Sequence, residues 1–394
     1  MHKIRTHHNH PQGRIFSWMV LILGTGIGLI LPILPNFVKS IVKTDFGVSL
    51  FFAAMALITI LAALSSTVIF KRVERAKITK YSFAICGAIS LFLIFVTTLT
   101  ELSIAQSISV WFNLFLLMTL ALFVRDFSKS TDLGKEEGLF YLFQNIGYFI
   151  GPILGGFLSV YFGYEFVFIL AAIVMFSGLF YFYKQHTIEQ HPAIVNLPKT
   201  TASGLIKNIR EYFSSKERTK AYAITFIVMG WVGFKRLYIP LYVFMTGYVE
   251  SMSGLILALG ILPLMFFEVA VGKYADKKGI KIPISLGFLI MGLILFVVFL
   301  SPFPLLNFAL LILVNLGLAL IEPLQEYFLF KNLPKEKEDE LYGIYMTADP
   351  VSYFVVPAIG ALILLVLPFK FLFLSFGALT LLASFLAWTM LKDQ

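Results

Sequence analysis

The segment Gly147-Tyr148-Phe149-Ile150-Gly151-Pro152-Ile153-Leu154-Gly155-Gly156 places four glycines around one proline, and a weaker copy of it recurs later in the chain. The copy runs from Ser352 to Ala361 and keeps the order of aromatic residue, proline and small residues. Two further segments repeat at the same distance of 357 − 152 = 205 residues. The pairs at this offset are Pro152 and Pro357, Pro35 and Pro240, and Lys71 and Asp276. Three separate matches at one offset indicate that the chain is a duplication of one unit.

The composition of the 394-residue chain excludes an ordinary soluble fold. Hydrophobic residues make up 59% of it and charged residues 13%, whereas an average soluble domain has roughly 25% charged residues. Apolar runs of about 20 residues recur, which is the length that an α-helix needs to cross a bilayer. These runs are apolar on every face, unlike the surface helices of soluble proteins. We therefore expect an all-α membrane protein.

Twelve apolar runs predict twelve transmembrane helices. They lie at about 15–38, 48–70, 79–99, 103–125, 139–160, 164–184, 221–246, 253–272, 282–301, 304–329, 342–366 and 370–391. Six form a predicted N-terminal bundle (1–184) and six a C-terminal bundle (221–394), joined by a cytoplasmic linker (185–220). The second part of the linker places Ile209, Tyr212 and Phe213 on one helical face. This helix either lies on the inner leaflet as a basic interfacial helix or packs on the bundle.

The net charge of +9 follows from membrane topology and gives no reason to expect nucleic acid binding. With the N-terminus inside, about 26 of the 31 Lys and Arg residues fall in predicted cytoplasmic segments, as the positive-inside rule requires. We expect a monomeric multi-pass protein of a prokaryotic inner membrane, with both termini in the cytoplasm. The single cysteine, Cys86, excludes a disulfide framework. Because the sequence has neither metal-ligand spacing nor a nucleophile–base arrangement, we expect no cofactor, no metal and no enzymatic activity.

The glycines of the first segment have a helical spacing. Gly147, Gly151 and Gly155 fall on one face at positions i, i+4 and i+8, and small residues let transmembrane helices approach closely. Pro152 removes one backbone hydrogen bond and bends the helix. With Gly156, the segment predicts either a groove with a hinge or a tightly packed contact with no moving part.

A second segment, from Gly272 to Lys281, lies at the inner end of the predicted eighth helix. Gly272 would allow close contact with a neighbour, and Asp276 would cap or form a salt bridge with a neighbouring helix end. Gly279 suits the turn, and Lys277 and Lys281 would face anionic lipid and the cytoplasm. Such a loop would hold one conformation closed.

These two segments resemble motifs of the major facilitator superfamily. Residues 272–281 match its G-x-x-x-D-[RK]-x-G-x-[RK] loop motif, and residues 147–156 match the G-x-x-x-G-P-x-x-G-G motif of the drug/proton antiporter branch. The resemblance covers nearly the whole chain. It implies two pseudo-symmetric six-helix bundles around a midplane cavity, and transport by alternating access.

The N-terminal half departs from the family pattern in two places. Lys71 stands where the loop motif has its aspartate, and the fourth span carries Gln106 and Asn113 where antiporters often have an arginine. The resemblance therefore does not support proton coupling through this half.

Ionisable residues at membrane depth are costly and mark candidate functional sites. Nearly all of them lie in the second half, and they are Lys235, Arg236, Glu268, Glu322, Glu326 and Asp349. Because adjacent helical residues point about 100° apart, we expect only one of the two cations to face a central cavity, and favour Arg236. Either Glu322 or Asp349 releases and rebinds a proton, or these groups form fixed ion pairs that close the inner gate. For Glu268 the gate is favoured.

Neutral side chains complete the candidate site. Asn113, Gln144 and Asn145 would donate hydrogen bonds to a solute, and Trp111 and Trp231 would form an aromatic wall, although packing is the more common role of such aromatics. The favoured function is proton-coupled efflux of a small organic or drug-like solute. The alternatives are a solute–proton symporter or facilitator for uptake of a small solute, which would be anionic if Arg236 binds its carboxylate or phosphate, and a membrane receptor or assembly partner that transports nothing.

Overall fold

The computed structural model describes residues 13–127, 133–184, 202–334 and 337–391, and the regular elements in these ranges are helices. The first half contains α1 (Gly13–Ile30), α2 (Leu34–Val42), α3 (Asp45–Arg72), α4 (Arg75–Phe92), α5 (Leu99–Phe127) and α6 (Leu133–Tyr183). The connecting helix is α7 (Ala202–Ser214). The second half contains α8 (Lys216–Met245), α9 (Glu250–Leu259), α10 (Leu262–Lys278), α11 (Lys281–Leu300), α12 (Pro304–Lys331), α13 (Glu338–Tyr345), α14 (Ala348–Val366) and α15 (Phe371–Met390).

Twelve membrane crossings follow from these helices. Within the described ranges, eleven helical segments are long and apolar enough to cross a membrane, and the one over Gly138–Tyr183 has 46 residues. At 1.5 Å per residue it would extend over roughly 69 Å, about twice the hydrocarbon thickness. Gly163 interrupts it with φ 82° and ψ 172°, a left-handed φ that favours glycine. The segment therefore crosses twice, and the prediction of an all-α fold with twelve transmembrane helices is confirmed.

The duplication is visible in the helix bounds. Adding 205 to residue 99, where α5 begins, gives 304, where α12 begins. Adding it to residue 45, where α3 begins, gives 250, where α9 begins. The copies are not identical: α1 and α2 are separate whereas their counterpart α8 is continuous, and α3 is continuous whereas its counterpart is divided into α9 and α10. Pro263 lies in the first turn of α10 and cannot donate the backbone hydrogen bond that would continue α9.

Glycines bring α1 and α6 into backbone contact. A Cβ atom on Gly151 would lie 2.7 Å from the Gly28 Cα, and one on Gly155 would lie 2.7 Å from the Leu29 carbonyl carbon. These distances are far shorter than the 3.5–4.0 Å of an ordinary carbon–carbon contact. Gly156 points elsewhere, because a Cβ atom there would meet the carbonyl oxygen of Glu250 in α9 at 2.6 Å. One segment of α6 therefore packs closely against its own bundle and against the other one.

The two bundles are joined by hydrogen bonds at one side of the membrane. We call the side at which α1 begins and α15 ends the terminal side, and the opposite side the far side. At the far side, Glu250 Oε1 accepts hydrogen bonds from the Tyr164 hydroxyl (2.6 Å) and from Asn36 Nδ2 (3.5 Å). The Tyr238 hydroxyl donates to Ser49 Oγ across the same boundary (3.0 Å). These three hydrogen bonds connect the bundles at the far side.

The connecting helix α7 is attached to the second bundle. Tyr212 is buried and its hydroxyl donates to the Arg218 carbonyl oxygen (3.0 Å), while Ile209 and Phe213 are exposed. Lys337 donates to Glu211 (2.6 Å), and this hydrogen bond lowers the pKa of the Glu211 carboxyl. The linker residues 185–201 lie outside the described ranges. The division of the chain at residues 184 and 220 stays a prediction.

Candidate functional site

A cavity of about 100 Å³ lies between the two bundles. Its walls come from α6 and the turn between α1 and α2 in the first half, and from α8, α9, α10 and α12 in the second half. The lining residues are Leu31, Asn145, Tyr148, Pro152, Val232, Lys235, Arg236, Leu257, Ile261, Leu264, Leu318 and Glu322. The first half supplies apolar and neutral polar groups, and the second half supplies all three charged groups.

Both cations of α8 line the cavity, so the prediction that only one of them would face it is wrong. Lys235 Nζ reaches toward α12 and donates to Asn315 Oδ1 (3.1 Å). The Arg236 guanidinium reaches toward α6 and lies over the Tyr148 ring, 5.3 Å from its centroid. Adjacent side chains diverge by about 100°, but the cavity occupies the space between α6 and α12. The two diverging side chains therefore flank it.

The carboxylates near these cations are not joined to them by ion pairs. Glu322 lines the cavity, and its Oε2 atom is buried without a hydrogen-bond partner among the described residues. Asp349 is half-buried and lies within electrostatic range of Arg236. Within the described ranges, no carboxylate oxygen lies within 4.0 Å of the Lys235 or Arg236 nitrogens. Fixed ion pairs between these residues, one of the two predicted roles, are therefore not formed in this conformation.

Sequence reasoning missed two residues that position the cations. The buried Asn315 accepts from Lys235 and from the Trp231 indole N–H (3.3 Å), and its own amide donates to two carbonyl oxygens of its helix, of Leu311 and Ile312 (3.2 Å each). Its side chain is thereby fixed with Oδ1 toward Lys235. Tyr148 belongs to the glycine-rich segment itself. The sequence did offer one signal for Asn315, namely an amide side chain in the middle of a predicted transmembrane helix.

Most of the remaining candidate residues lie outside the wall of this cavity. Asn145 lines it, but Gln144 is half-buried on α6 outside its wall. Trp231 is fully buried and stacks on Phe234 (5.4 Å between centroids), so it belongs to the core of the second bundle and not to the cavity wall. Trp111 packs edge-on against an aromatic neighbour in α5, Glu268 is half-buried in α10, and the exposed Glu326 accepts from Tyr342 (2.8 Å).

The loop between α10 and α11 makes fewer contacts than the sequence predicts. Nothing lies within 4 Å of a Cβ atom built on Gly272, and the exposed Asp276 makes no salt bridge among the described residues. The predicted close contact and ion pair are therefore absent from this conformation. Gly279 ends α10 with φ 82°, and Lys281 lies over the Trp388 ring at 4.7 Å, whereas Lys277 is exposed.

A second, larger cavity of about 280 Å³ adjoins the first and lies within the first bundle. Leu31 and Tyr148 line both cavities. Most of the second wall is aliphatic, and Asn113, a predicted site residue, is part of it. We refer to the two cavities together as the chamber; they share two wall residues, and the smaller one is lined by charged groups whereas the larger one is mostly aliphatic.

Two bundles around a shared chamber, with charged groups at membrane depth, define a membrane transporter of small solutes and not an enzyme. The chain belongs to the Major Facilitator Superfamily, whose family model matches residues 16–348. It is 23% identical over 348 residues to an uncharacterized MFS-type transporter of Methanocaldococcus jannaschii, a match that covers 84% of this chain and 85% of the relative.

Solved structures share the fold. The peptide transporter POT in complex with sulfate superposes with a TM-score of 0.78 at 15% identity, covering 98% of this chain and 95% of that one. A POT family transporter in complex with a thioalcohol-conjugated peptide gives a TM-score of 0.80 at 14% identity, with 97% and 96% covered. At this identity the likeness shows the fold alone. Membership of the drug/proton antiporter branch and the cytoplasmic position of the termini stay predictions.

Proposed function

We propose that this transporter carries a small organic anion across the membrane together with a proton. The observation that supports the proposal most directly is the pair of cations, Lys235 and Arg236, which line the central cavity with no carboxylate within 4.0 Å among the described residues. Their contacts are a neutral amide, that of Asn315, and the ring of Tyr148. Both cations are therefore available to a carboxylate or a similar group of the solute.

The anion would gain substantially from this site. At an effective dielectric constant of 20, two unit charges 4 Å apart attract each other by about 4 kcal/mol. A planar guanidinium also binds carboxylates in a bidentate manner. Lys235 is held in place by Asn315, so that little side-chain entropy is lost when the solute binds.

Glu322 is the proposed proton carrier. It shares the cavity with Lys235 and Arg236, and its Oε2 atom is buried without a hydrogen-bond partner among the described residues. A solute anion on the two cations would repel the Glu322 carboxylate and would screen it from their positive charge, so protonation of Glu322 and binding of the anion favour each other. By thermodynamic linkage the coupling is reciprocal, and it makes the two species move in the same direction. Asp349, close to Arg236, is the second candidate.

The contacts of the bundles support alternating access. The bundles are hydrogen-bonded at the far side through Glu250 and Ser49, while no described residue lies within 4 Å of a Cβ atom built on Gly272 at the terminal side. We propose that this conformation opens to the terminal side, which the positive-inside rule assigns to the cytoplasm. In the opposite conformation the Gly272 loop would make its close contact and the Glu250 contacts would break.

Proton-coupled efflux is the second candidate function, and the match of residues 147–156 to the antiporter motif favours it. In that case solute and proton compete for Glu322, and a cationic or neutral solute replaces the anion. The direction of proton movement separates the two functions. Transport of neither kind would favour a receptor.

The test uses purified protein in proteoliposomes with an imposed pH gradient and labelled hexanesulfonate, an anion that stays ionised. Symport predicts that hexanesulfonate moves with protons, down the proton gradient. Glu322→Gln should abolish gradient-driven movement but leave counterflow, whereas Lys235→Gln, which can still donate to Asn315, should weaken both. Lys216→Gln, at the exposed start of the same helix, is the matched control and should behave as the unmodified protein. Hexanesulfonate movement against the proton flux, or no loss in Glu322→Gln, would refute the proposal.

A further inference from the structure

The two halves of the chain place opposite chemistry at equivalent positions around the chamber. At the 205-residue offset, Lys235 corresponds to Ile30, Arg236 to Leu31 and Glu322 to Leu117. All three aliphatic residues line the larger cavity, and all three charged residues line the smaller one. Duplication alone would have given two similar walls. The chamber therefore has one charged wall and one apolar wall at matching depth.

The polar groups of the apolar wall are directed into the protein. The Thr59 hydroxyl donates to the Met55 carbonyl oxygen (3.0 Å), and the Ser90 hydroxyl donates to the Cys86 carbonyl oxygen (3.0 Å). These bonds are made within single helices, so neither hydroxyl needs a partner in the cavity.

The amide of Asn113 is also satisfied by the wall itself. Its Nδ2 atom donates to Ser109 Oγ (3.1 Å), and its Oδ1 atom accepts from the Cys86 thiol (3.5 Å). A sugar or peptide in this cavity would leave its own polar groups without partners, which costs roughly 1–3 kcal/mol for each group. Gln106 and Tyr148, which line the cavity and make no hydrogen bond among the described residues, are exceptions.

We infer that the solute is an amphipathic organic anion. Its charged group binds Lys235 and Arg236, and its apolar body occupies the larger cavity between Ile30, Val110 and Leu117. Leu31 and Tyr148 belong to both walls, so the inference requires one molecule to extend past these two side chains. This inference rests on the proposed function for the charged end, and it adds the chemical class of the rest of the solute.

The test measures binding of straight-chain carboxylates, from propanoate to octanoate, to the protein in lipid nanodiscs, with empty nanodiscs as the blank. Burial of one methylene group contributes about 0.8 kcal/mol, so the affinity should rise about three- to fourfold per added carbon. Val110→Trp fills part of the larger cavity and should weaken octanoate binding at least tenfold while leaving propanoate binding within about twofold. Ile104→Trp, on the exposed face of the same helix, is the matched control and should leave both unchanged.

The outcomes separate this inference from the proposed function. An affinity that does not depend on chain length in the unmodified protein overturns the inference, and this result needs no variant to fold. Equal loss of propanoate and octanoate binding in Val110→Trp, with Ile104→Trp unaffected, also overturns it. Binding of hexanamide as tight as that of hexanoate would instead refute anion binding at Lys235 and Arg236, even if longer chains bind more tightly.

Discussion

Replacing Gly155 by alanine is expected to destabilise the protein by an amount that can be worked out from the contact of α1 with α6. The added Cβ atom would lie 2.7 Å from the Leu29 carbonyl carbon and 2.9 Å from its Cα, and it would overlap the Leu29 carbonyl oxygen. Ordinary carbon–carbon contacts are 3.5–4.0 Å, so α1 must retreat by about 1 Å. Backbone atoms cannot rotate away as a side chain does, and overpacking of this kind costs about 1–3 kcal/mol.

The same helix contains a matched control. No atom of the described residues lies within 4 Å of a Cβ atom built on Gly138, and alanine is a better helix former than glycine by about 1 kcal/mol. Gly138→Ala should therefore be neutral or slightly stabilising. Both substitutions gain this helix propensity, so it cancels between them, and the two variants should differ by the overpacking alone, about 1–3 kcal/mol in unfolding free energy.

Unfolding in mixed micelles of dodecyl sulfate and a mild detergent, followed by circular dichroism, measures this difference. Transport should also fall in Gly155→Ala, because Leu31 lies two residues beyond Leu29 and lines both cavities. If Gly155→Ala unfolds at the same dodecyl sulfate fraction as Gly138→Ala, close packing by the glycine-rich segment is refuted.

Three further predictions concern the two sides of the membrane. Gly272→Val should leave solute binding intact, because no atom in the described part of the chain lies within 4 Å of a Cβ atom built there, but should reduce counterflow at least tenfold by blocking closure at the terminal side. Tyr164→Phe removes the hydrogen bond to Glu250 (2.6 Å). A hydrogen bond to a charged group contributes roughly 1.5–3 kcal/mol, so the population of molecules open at the far side should rise at least tenfold. Distances between spin labels measure this population. Lys337 lowers the pKa of the Glu211 carboxyl. The hydrogen bond between the two residues therefore stabilises α7 above the pKa that Glu211 has in the unfolded chain. This stabilisation is lost as the pH falls through the lower pKa that Glu211 has in the folded protein. Proteolysis of α7 should accelerate in acid in the unmodified protein, whereas in Lys337→Gln it should already be faster at neutral pH and depend less on pH.

For each of these three predictions, one experimental result would contradict it. Counterflow at the unmodified rate in Gly272→Val would mean that the α10–α11 loop does not close against the other bundle. Unchanged spin-label distances in Tyr164→Phe would mean that the Glu250 contact does not hold the far side shut. Proteolysis of α7 with the same pH dependence in Lys337→Gln would exclude the proposed role of the Glu211 hydrogen bond.

The fold could be predicted from the sequence because its determinants are local. Apolar length fixes each membrane crossing, and the spacing of Gly147, Gly151 and Gly155 requires a close neighbour, which is α1. The 205-residue offset of Pro152 and Pro357 fixes the duplication, and the helix bounds follow it.

The chamber could be predicted only in part, because it depends on where neighbouring helices lie. Helical geometry shows that the side chains of Lys235 and Arg236 point in different directions. It does not show that a cavity lies between these two directions. It likewise gives Trp231 a position at membrane depth, but not its burial against Phe234. The role of Asn315 depends on a contact between α8 and α12, which no pattern in either helix encodes.

Coupling between the solute anion and a proton on Glu322 is the central claim, and binding of hexanesulfonate as a function of pH tests it most directly. Titration calorimetry over about pH 5.5–8 would compare the unmodified protein with Glu322→Gln; the sulfonate stays ionised throughout, whereas a carboxyl group can titrate in this range. We predict that the affinity of the unmodified protein falls by up to tenfold per pH unit as the pH rises, and that the Glu322→Gln affinity is high and independent of pH. The same pH dependence in both proteins, or none in the unmodified one, would contradict the account.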